Sequence, residues 1–201
     1  FLMIDDKPFI TVVMATYNGK AYLSEQIDSI LNQTHKNFEL VIIDDCSSDD
    51  TTDILDRYAQ LDDRIKLFSN AKNVGVVKSF ETGISLASGE FIALSDQDDV
   101  WYSNHLTELL ECIGSNSLIY SDCLFIYGDK VSDQRFSELF DWLKCLSNDQ
   151  VFSYLLVSNF VKGSSSLFRS DLKEVILPFP NNLPMHDHWI AFGAHLCGGI
   201  A

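Results

Sequence analysis

Apolar positions along this chain come in short runs separated by stretches with helical spacing, and the alternation repeats four times. Residues 9–14 (FITVVM) form a β-branched run that predicts a buried strand. Asn18-Gly19 breaks it, and Leu23, Ile27, Ile30 and Leu31 then recur with the period of an amphipathic helix over 21–32. A second strand is predicted over 38–43 (FELVII), ended by Asp44-Asp45. Ser48, Asp49 or Asp50 can cap a second helix with Ile54, Leu55 and Tyr58 on its apolar face. Residues 65–68 read as a third strand. Asn73-Val74-Gly75 reads as a turn, and Phe80, Ile84 and Ala87 mark a third helix that Gly89 ends. Residues 91–94 (FIAL) are a fourth strand.

Strand and helix in strict alternation predict an α/β fold, with a Rossmann-like, mostly parallel central sheet and right-handed crossovers. In such sheets ligands bind beyond the carboxyl ends of the strands. Loops 15–19, 44–50 and 96–101 are therefore expected to share one edge. After about residue 104 the pattern changes. Residues 118–120 and 123–127 predict strands, Asp129-Lys130 a turn, and 136–145 and 150–157 helices. Leu167-Phe168 ends a short strand and 171–176 forms a short helix. A Pro-rich loop over 178–184 leads into Met185-His186-Asp187-His188-Trp189, where a further helix begins.

Composition narrows the function classes. The 201 residues suffice for a single domain with a real core. Fourteen basic side chains against 29 acidic ones give a formal charge of −15, which disfavours nucleic-acid backbones and polybasic contact with a membrane. Five cysteines, an odd number without a CxxC, fit reduced thiols in the cytoplasm and are expected to be small buried hydrophobes. No apolar run is long enough to span a bilayer, and residues 1–4 are too short for a signal-peptide core. The chain begins with Phe and ends on CGGIA, so a missing C-terminal segment is expected.

The candidate chemistry sits at the predicted strand ends. SDQDDVW puts Asp96, Asp98 and Asp99 within four residues, where each charge raises the cost of ionising the next. A D-x-D of this kind can hold Mg²⁺ or Mn²⁺ together with substrate phosphates. The structural alternative is a solvated acidic turn that caps the next helix, although a cap needs only one Asp. Asp44 and Asp45 can accept from a nucleotide base or ribose, or merely solvate their loop. Thr16 and Tyr17 can meet a base, or Tyr17 can pack on the core. ATYNGK is neither a P-loop nor GxGxxG, and it lacks the basic glycine-rich loop of a sugar nucleotidyltransferase. His186-Asp187-His188 can offer a general base, a metal site or a helix cap. Trp101 and Trp189 adjoin candidate site loops, and with Trp142 they can equally be core.

In order, VVMATYNG, SILNQT, FELVIIDDCSSDDT, NVGVVKSFETGISLASGEFIAL, SDQDDVW, KGSSSLF and HDHW resemble glycosyltransferase family 2 with its GT-A fold, over nearly the whole chain. The SDQDDVW form is most similar to a bacterial rhamnosyltransferase-like subgroup acting in cell-surface polysaccharide assembly. The resemblance implies one GT-A domain over 1–201, with a nucleotide-sugar half at about 9–103 and a smaller acceptor half at about 104–201. It implies an inverting transferase that moves a sugar from dTDP-rhamnose or a UDP-sugar to a hydroxyl of a saccharide or lipid-linked acceptor. Thr16, Tyr17, Asp44, Asp45 and Asp96 would bind the donor nucleotide, with Asp45 accepting the pyrimidine N3–H. Asp98, with Asp99 beside it, would hold Mg²⁺ or Mn²⁺, and Asp187 would be the catalytic base. Gly163, Ser164, His186 and Trp189 would lie toward the acceptor. Many members carry two acidic residues where this chain has His186-Asp187, which opens a metal or supporting role for His186. Localisation would be cytoplasmic, with membrane association at most peripheral.

Overall fold

The computed structural model describes residues 7–128, 130–139 and 148–201. Strand β1 (Ile10–Thr16) lies between β2 (Phe38–Asp44) and β4 (Phe91–Ser95), and β3 (Ile65–Ser69) pairs with the far side of β2; all four are parallel. Helices α1 (Leu23–Leu31), α2 (Thr51–Leu61) and α3 (Val76–Leu86) are the crossovers. The sheet continues with β8 (Ser166–Arg169), antiparallel to both β4 and β5 (Leu118–Tyr120), giving the order β3-β2-β1-β4-β8-β5. β6 (Leu124–Tyr127) and β7 (Lys130–Arg135) form a separate hairpin. The remaining helices are α4 (His105–Cys112), α5 (Asn148–Leu155), α6 (Lys173–Ile176) and α7 (His186–Cys197).

β1 is buried along its whole length, so its alternation feeds two cores. Ile10, Val12 and Met14 pack with Leu23, Ile27, Ile30 and Leu55 on one face. Val13 and Ala15 join Phe80, Ile84, Phe168 and Ile190 on the other. Each fully buried Ile or Leu contributes about 1.5–3 kcal/mol, so β1 is the strand that the fold can least lose. Gly89 lets the chain turn into β4 against β1: a Cβ there would lie 2.5 Å from the Thr11 nitrogen.

Several expectations need correction. Helix α4 follows residue 104, where none was expected, although Leu106, Leu109 and Leu110 carry the helical spacing. Lys130 opens β7 rather than lying in a turn, and the turn falls at Gly128, which has φ 60°. Asp129 lies outside the described residues. Of the helix expected over 136–145, residues 136–139 make a 3₁₀ turn, and the rest, with Trp142 and Cys145, lies outside the described residues. The four described cysteines are not core residues: Cys46, Cys112 and Cys197 are exposed, and Cys123 is half-buried. Cys46 occupies a left-handed position (φ 64°) in the loop after β2, and Cys112 and Cys197 are the last residues of their helices. No helix among the described residues is long and apolar enough to cross a membrane.

Candidate active site

The parallel strands β1, β2 and β4 end on the same edge, and their loops are stitched together there. Thr16, the last residue of β1, donates from Oγ1 to Gln97 Oε1 at 2.6 Å, and the Tyr17 amide donates to the same oxygen at 2.9 Å. Gln97 Nε2 donates back to the Tyr17 carbonyl at 3.3 Å. Gln97 thus locks the first loop to the aspartate loop, a role not read from the sequence, where it stands only as the middle residue of D-x-D. Thr16 is buried, whereas Tyr17 is 46% exposed and presents its ring to solvent.

Asp45 is buried, and its carboxylate holds the loop that leads into α3. Oδ1 accepts from Asn70 Nδ2 (2.8 Å) and the Val74 amide (2.9 Å), and Oδ2 accepts from the Gly75 amide (2.7 Å). Oδ2 therefore keeps acceptor capacity for a ligand. Asp44 is also buried. Its Oδ2 accepts from the Ser47 amide at 3.2 Å, and its Oδ1 has no partner among the described residues. A cleft of about 630 Å³ runs from Asp45 and Gly75 past Thr16 and Tyr17 to Asp96 and Asp98.

Along the aspartate loop the environment changes residue by residue. Burial, reinforced by the charge of Asp99 and opposed by Lys162, pushes the Asp96 carboxyl up to about 6. Asp98 is exposed. Asp99 pairs with Lys162, Nζ to Oδ1 at 3.2 Å. Burial opposes the charge of Lys162, but Asp99 together with Cys123 and Asp96 outweighs it and raises its pKa. Lys162 is a second residue missed in the sequence, because it lies 63 positions from its partner. Trp101 is buried and donates from Nε1 to the Ser164 carbonyl at 3.2 Å, tying the loop to the turn at 163–165. Its placement is that of a support.

Across this turn stands the first turn of α7. Asp187 Oδ1 accepts from the His188 amide at 2.7 Å, and Asp187 is near enough to Asp96 for its charge to raise that carboxyl. Gly163 permits the approach: a Cβ there would sit 3.0 Å from Asp187 Cβ and 3.3 Å from His186 Nε2. Asp187 is therefore brought together with Asp96 and Gly163. His186 is buried and stacked on Phe80 with centroids 4.0 Å apart, and neither ring nitrogen has a partner among the described residues. His188 Nε2 instead lies 2.5 Å from the Leu155 carbonyl. Trp189 turns away from Asp187 toward α6, donating from Nε1 to the Ile176 carbonyl at 2.9 Å. No group of three or more His, Cys, Asp or Glu among the described residues is arranged to hold a metal alone. Asp98 and Asp99 would need further oxygens from a ligand.

Two histidines, His186 buried and His105 half-buried, set a pH response. Burial holds His105 and His186 down at about 4, against an ordinary value near 6.5. The unfolded chain takes up their protons below pH 6.5 and the folded chain does not. Their contribution is therefore complete above pH 6.5 and is lost as pH falls toward 4. Asp96 acts with the opposite sign, since its raised carboxyl favours the fold at the acid end and costs stability as pH rises from about 4 to 6. Each histidine accounts for up to about 3 kcal/mol. Urea unfolding at pH 7 and pH 5 should show the wild type losing stability on acidification. His186→Phe, which keeps the stack on Phe80, should lose less than half as much, because Asp96 offsets the remaining histidine. Parallel losses in the two proteins would refute the assignment to His186.

Against known proteins, a family model described as Glycosyl transferase family 2 matches residues 11–176. The chain is 34% identical over 119 residues to TuaG of Bacillus subtilis (strain 168), provisionally named as a teichuronic acid biosynthesis glycosyltransferase, covering 59% of this chain and 47% of that protein. It is 35% identical over 124 residues to WfgD of Escherichia coli, named as a UDP-Glc:alpha-D-GlcNAc-diphosphoundecaprenol beta-1,3-glucosyltransferase, covering 62% and 46%. The chain thus spans less than half the length of these two relatives. Among solved structures it superposes on S. aureus TarS 1-349 in complex with UDP with a TM-score of 0.71 at 22% identity, covering 95% of this chain and 56% of that one. The mannosyltransferase PcManGT from Pyrobaculum calidifontis, in complex with GDP-Man and Mn2+, gives 0.72 at 19%, covering 98% and 55%. The fold is the GT-A fold of these glycosyltransferases, and the chain belongs to glycosyl transferase family 2.

Proposed function

We propose that this chain carries the donor-binding and catalytic core of an inverting, metal-dependent glycosyltransferase of bacterial cell-surface polysaccharide synthesis. One observation carries the reading: three strand-end loops bring Thr16, Asp45 and Asp96 to one cleft, and Asp187 on α7 is near enough to Asp96 for its charge to raise that carboxyl. The nucleotide half is about 9–103 and the acceptor half about 104–201, within one domain. The nucleotide lies along the cleft, with its base toward Asp45 and its diphosphate toward Asp96 and Asp98. The donor is dTDP-rhamnose or a UDP-sugar, since thymine and uracil offer the same N3–H edge. The acceptor is a saccharide hydroxyl, free or lipid-linked, met in the cytoplasm at the inner face of the membrane. Gly163 and His186 border its approach to Asp187.

The residues fit a hard divalent cation. Three crowded carboxylates, one of them raised to about 6, face Lys162 alone as counter-charge among the described residues, and all offer oxygen donors. Asp98 and Asp99 would hold Mg²⁺ or Mn²⁺ together with donor phosphate oxygens. Bound there, the ion supplies positive charge to the leaving diphosphate. Asp187 removes the acceptor's hydroxyl proton as that oxygen attacks the anomeric carbon. The bond from that carbon to the diphosphate oxygen breaks, and the nucleoside diphosphate leaves with the electron pair. A single displacement inverts the anomeric centre and needs no second catalytic carboxylate, unlike glycoside hydrolysis.

Thermal unfolding with dTDP-, UDP- and GDP-sugars, with and without Mn²⁺, tests the reading. A pyrimidine nucleotide sugar with Mn²⁺ should stabilise the fold by about 2.7 kcal/mol at a hundred times its Kd. Slow metal-dependent hydrolysis of the donor should accompany it. Stabilisation by no nucleotide sugar would overturn the donor site, and binding without any turnover would leave a binding module.

A further inference from the structure

Beyond the aspartate loop lies a second cavity of about 320 Å³. Asp98 lines both it and the nucleotide cleft, so the two spaces meet at one side chain. A ligand whose diphosphate lies at Asp98 therefore has this cavity within reach of whatever its diphosphate carries. The volume is at the small end of ligand pockets, about 300–1,000 Å³, and suits one sugar ring.

The lining is built for a polar, uncharged guest. Ser164 is 3% exposed, and its Oγ has no partner among the described residues. His105 sits against Trp101 with ring centroids 4.5 Å apart, and its Nε2 is likewise buried without a partner. Unpaired buried polar atoms cost stability and call for a hydrogen-bonding ligand. Burial keeps the imidazole neutral at physiological pH, so it can both donate and accept. Asp98, Asp99, Glu108 and Asp122 surround the space, and the one ammonium lining it among the described residues, Lys162, is already paired with Asp99. A guest carrying a carboxylate or phosphate would meet uncompensated negative charge. Leu124, Ile126 and Val131 of the β6–β7 hairpin close the opposite wall with apolar surface, against which a ring face or methyl group can lie.

We propose that this cavity seats the transferred sugar of the donor, that the sugar is uncharged, and that Ser164 and His105 select it through its hydroxyls. The inference rests on the nucleotide-sugar reading and deepens it. It also moves Ser164 from the acceptor to the donor: Gly163 faces Asp187, and its neighbour lines the sugar cavity.

The test is calorimetric binding in Mn²⁺ of UDP and dTDP alone, UDP-glucose, UDP-galactose, UDP-N-acetylglucosamine and dTDP-rhamnose, and UDP-glucuronate and UDP-galacturonate. At least one uncharged donor should bind tighter than its own free nucleotide, and both uronates should bind at least tenfold weaker than that donor. Two variants that spare the fold complete the test. Ser164→Ala removes a hydroxyl without a partner among the described residues, and Val131→Trp adds bulk at an exposed hairpin position. Each should weaken the preferred donor, Val131→Trp at least tenfold, while leaving UDP and dTDP within twofold. A uronate bound as tightly as the uncharged donors, or variants that weaken donor and free nucleotide equally, would overturn the sugar cavity alone. Failure of both UDP and dTDP to bind would overturn it together with the donor site.

Discussion

Asp187→Asn should lower the rate of sugar transfer by about 10²–10⁴-fold while donor affinity changes by no more than a few-fold. The substitution is nearly isosteric. The amide oxygen can still accept from the His188 amide, as Asp187 Oδ1 does at 2.7 Å, and the side chain still fits against Gly163. What is lost is basicity. Asparagine cannot take the acceptor's proton, so the attacking oxygen must shed it to water. The charge balance predicts the sign of any binding effect. Neutralising Asp187 removes a negative charge close to Asp96 and so does not weaken an anionic donor. Initial rates under saturating donor, with donor Kd measured separately, separate the two effects. Transfer at close to the normal rate would remove Asp187 as base and leave it a cap on α7. Loss of donor binding in step with rate would make it part of the donor site instead.

The parallel sheet from β1 to β4 was legible because its physics is local. Buried parallel strands are continuous apolar runs, and the site then follows from a topological rule: polar residues just past Thr16, Asp44 and Ser95 must share an edge. Gln97 and Lys162 were not legible, because each acquires its role from a partner that only the fold supplies. Gln97 serves Thr16 and Tyr17 across 80 positions or more, and Lys162 serves Asp99 across 63. β8 was legible as a short strand ending at Leu167-Phe168, but its place in the sheet was not. Its antiparallel insertion between β4 and β5 depends on pairing with residues 91–93, far back in the chain. The β7 strand KVSDQR is exposed almost throughout and has no buried face to impose an alternation. Helix α4 is a different case, since its leucine spacing was present and went unread. His186 illustrates the limit most clearly. Beside an aspartate in HDHW it reads as a ligand or a helper, yet its ring is stacked on Phe80 and held neutral by burial.

Asp98→Ala should abolish the metal-dependent part of donor binding, raising the donor Kd in Mn²⁺ by about 100-fold or more, equivalent to about 2.7 kcal/mol. The fold should be indifferent to the change. Asp98 is exposed, and substitutions at such positions usually alter stability by about 0.5 kcal/mol or less. The decisive comparison is made without metal. Removing a carboxylate from a chain of formal charge −15 relieves repulsion of a diphosphate, so metal-free donor binding should hold or tighten. General damage to the cleft would weaken binding in both conditions. Loss of a cation ligand weakens it only where the cation is present, and the two affinities of the variant then converge. Asp99, which shares the cation with Asp98 and is also paired with Lys162, would be left to hold it without a second carboxylate. A variant that kept the full difference between metal-bound and metal-free affinity would show that the cation sits elsewhere, and the crowding of Asp96, Asp98 and Asp99 would then need another cause.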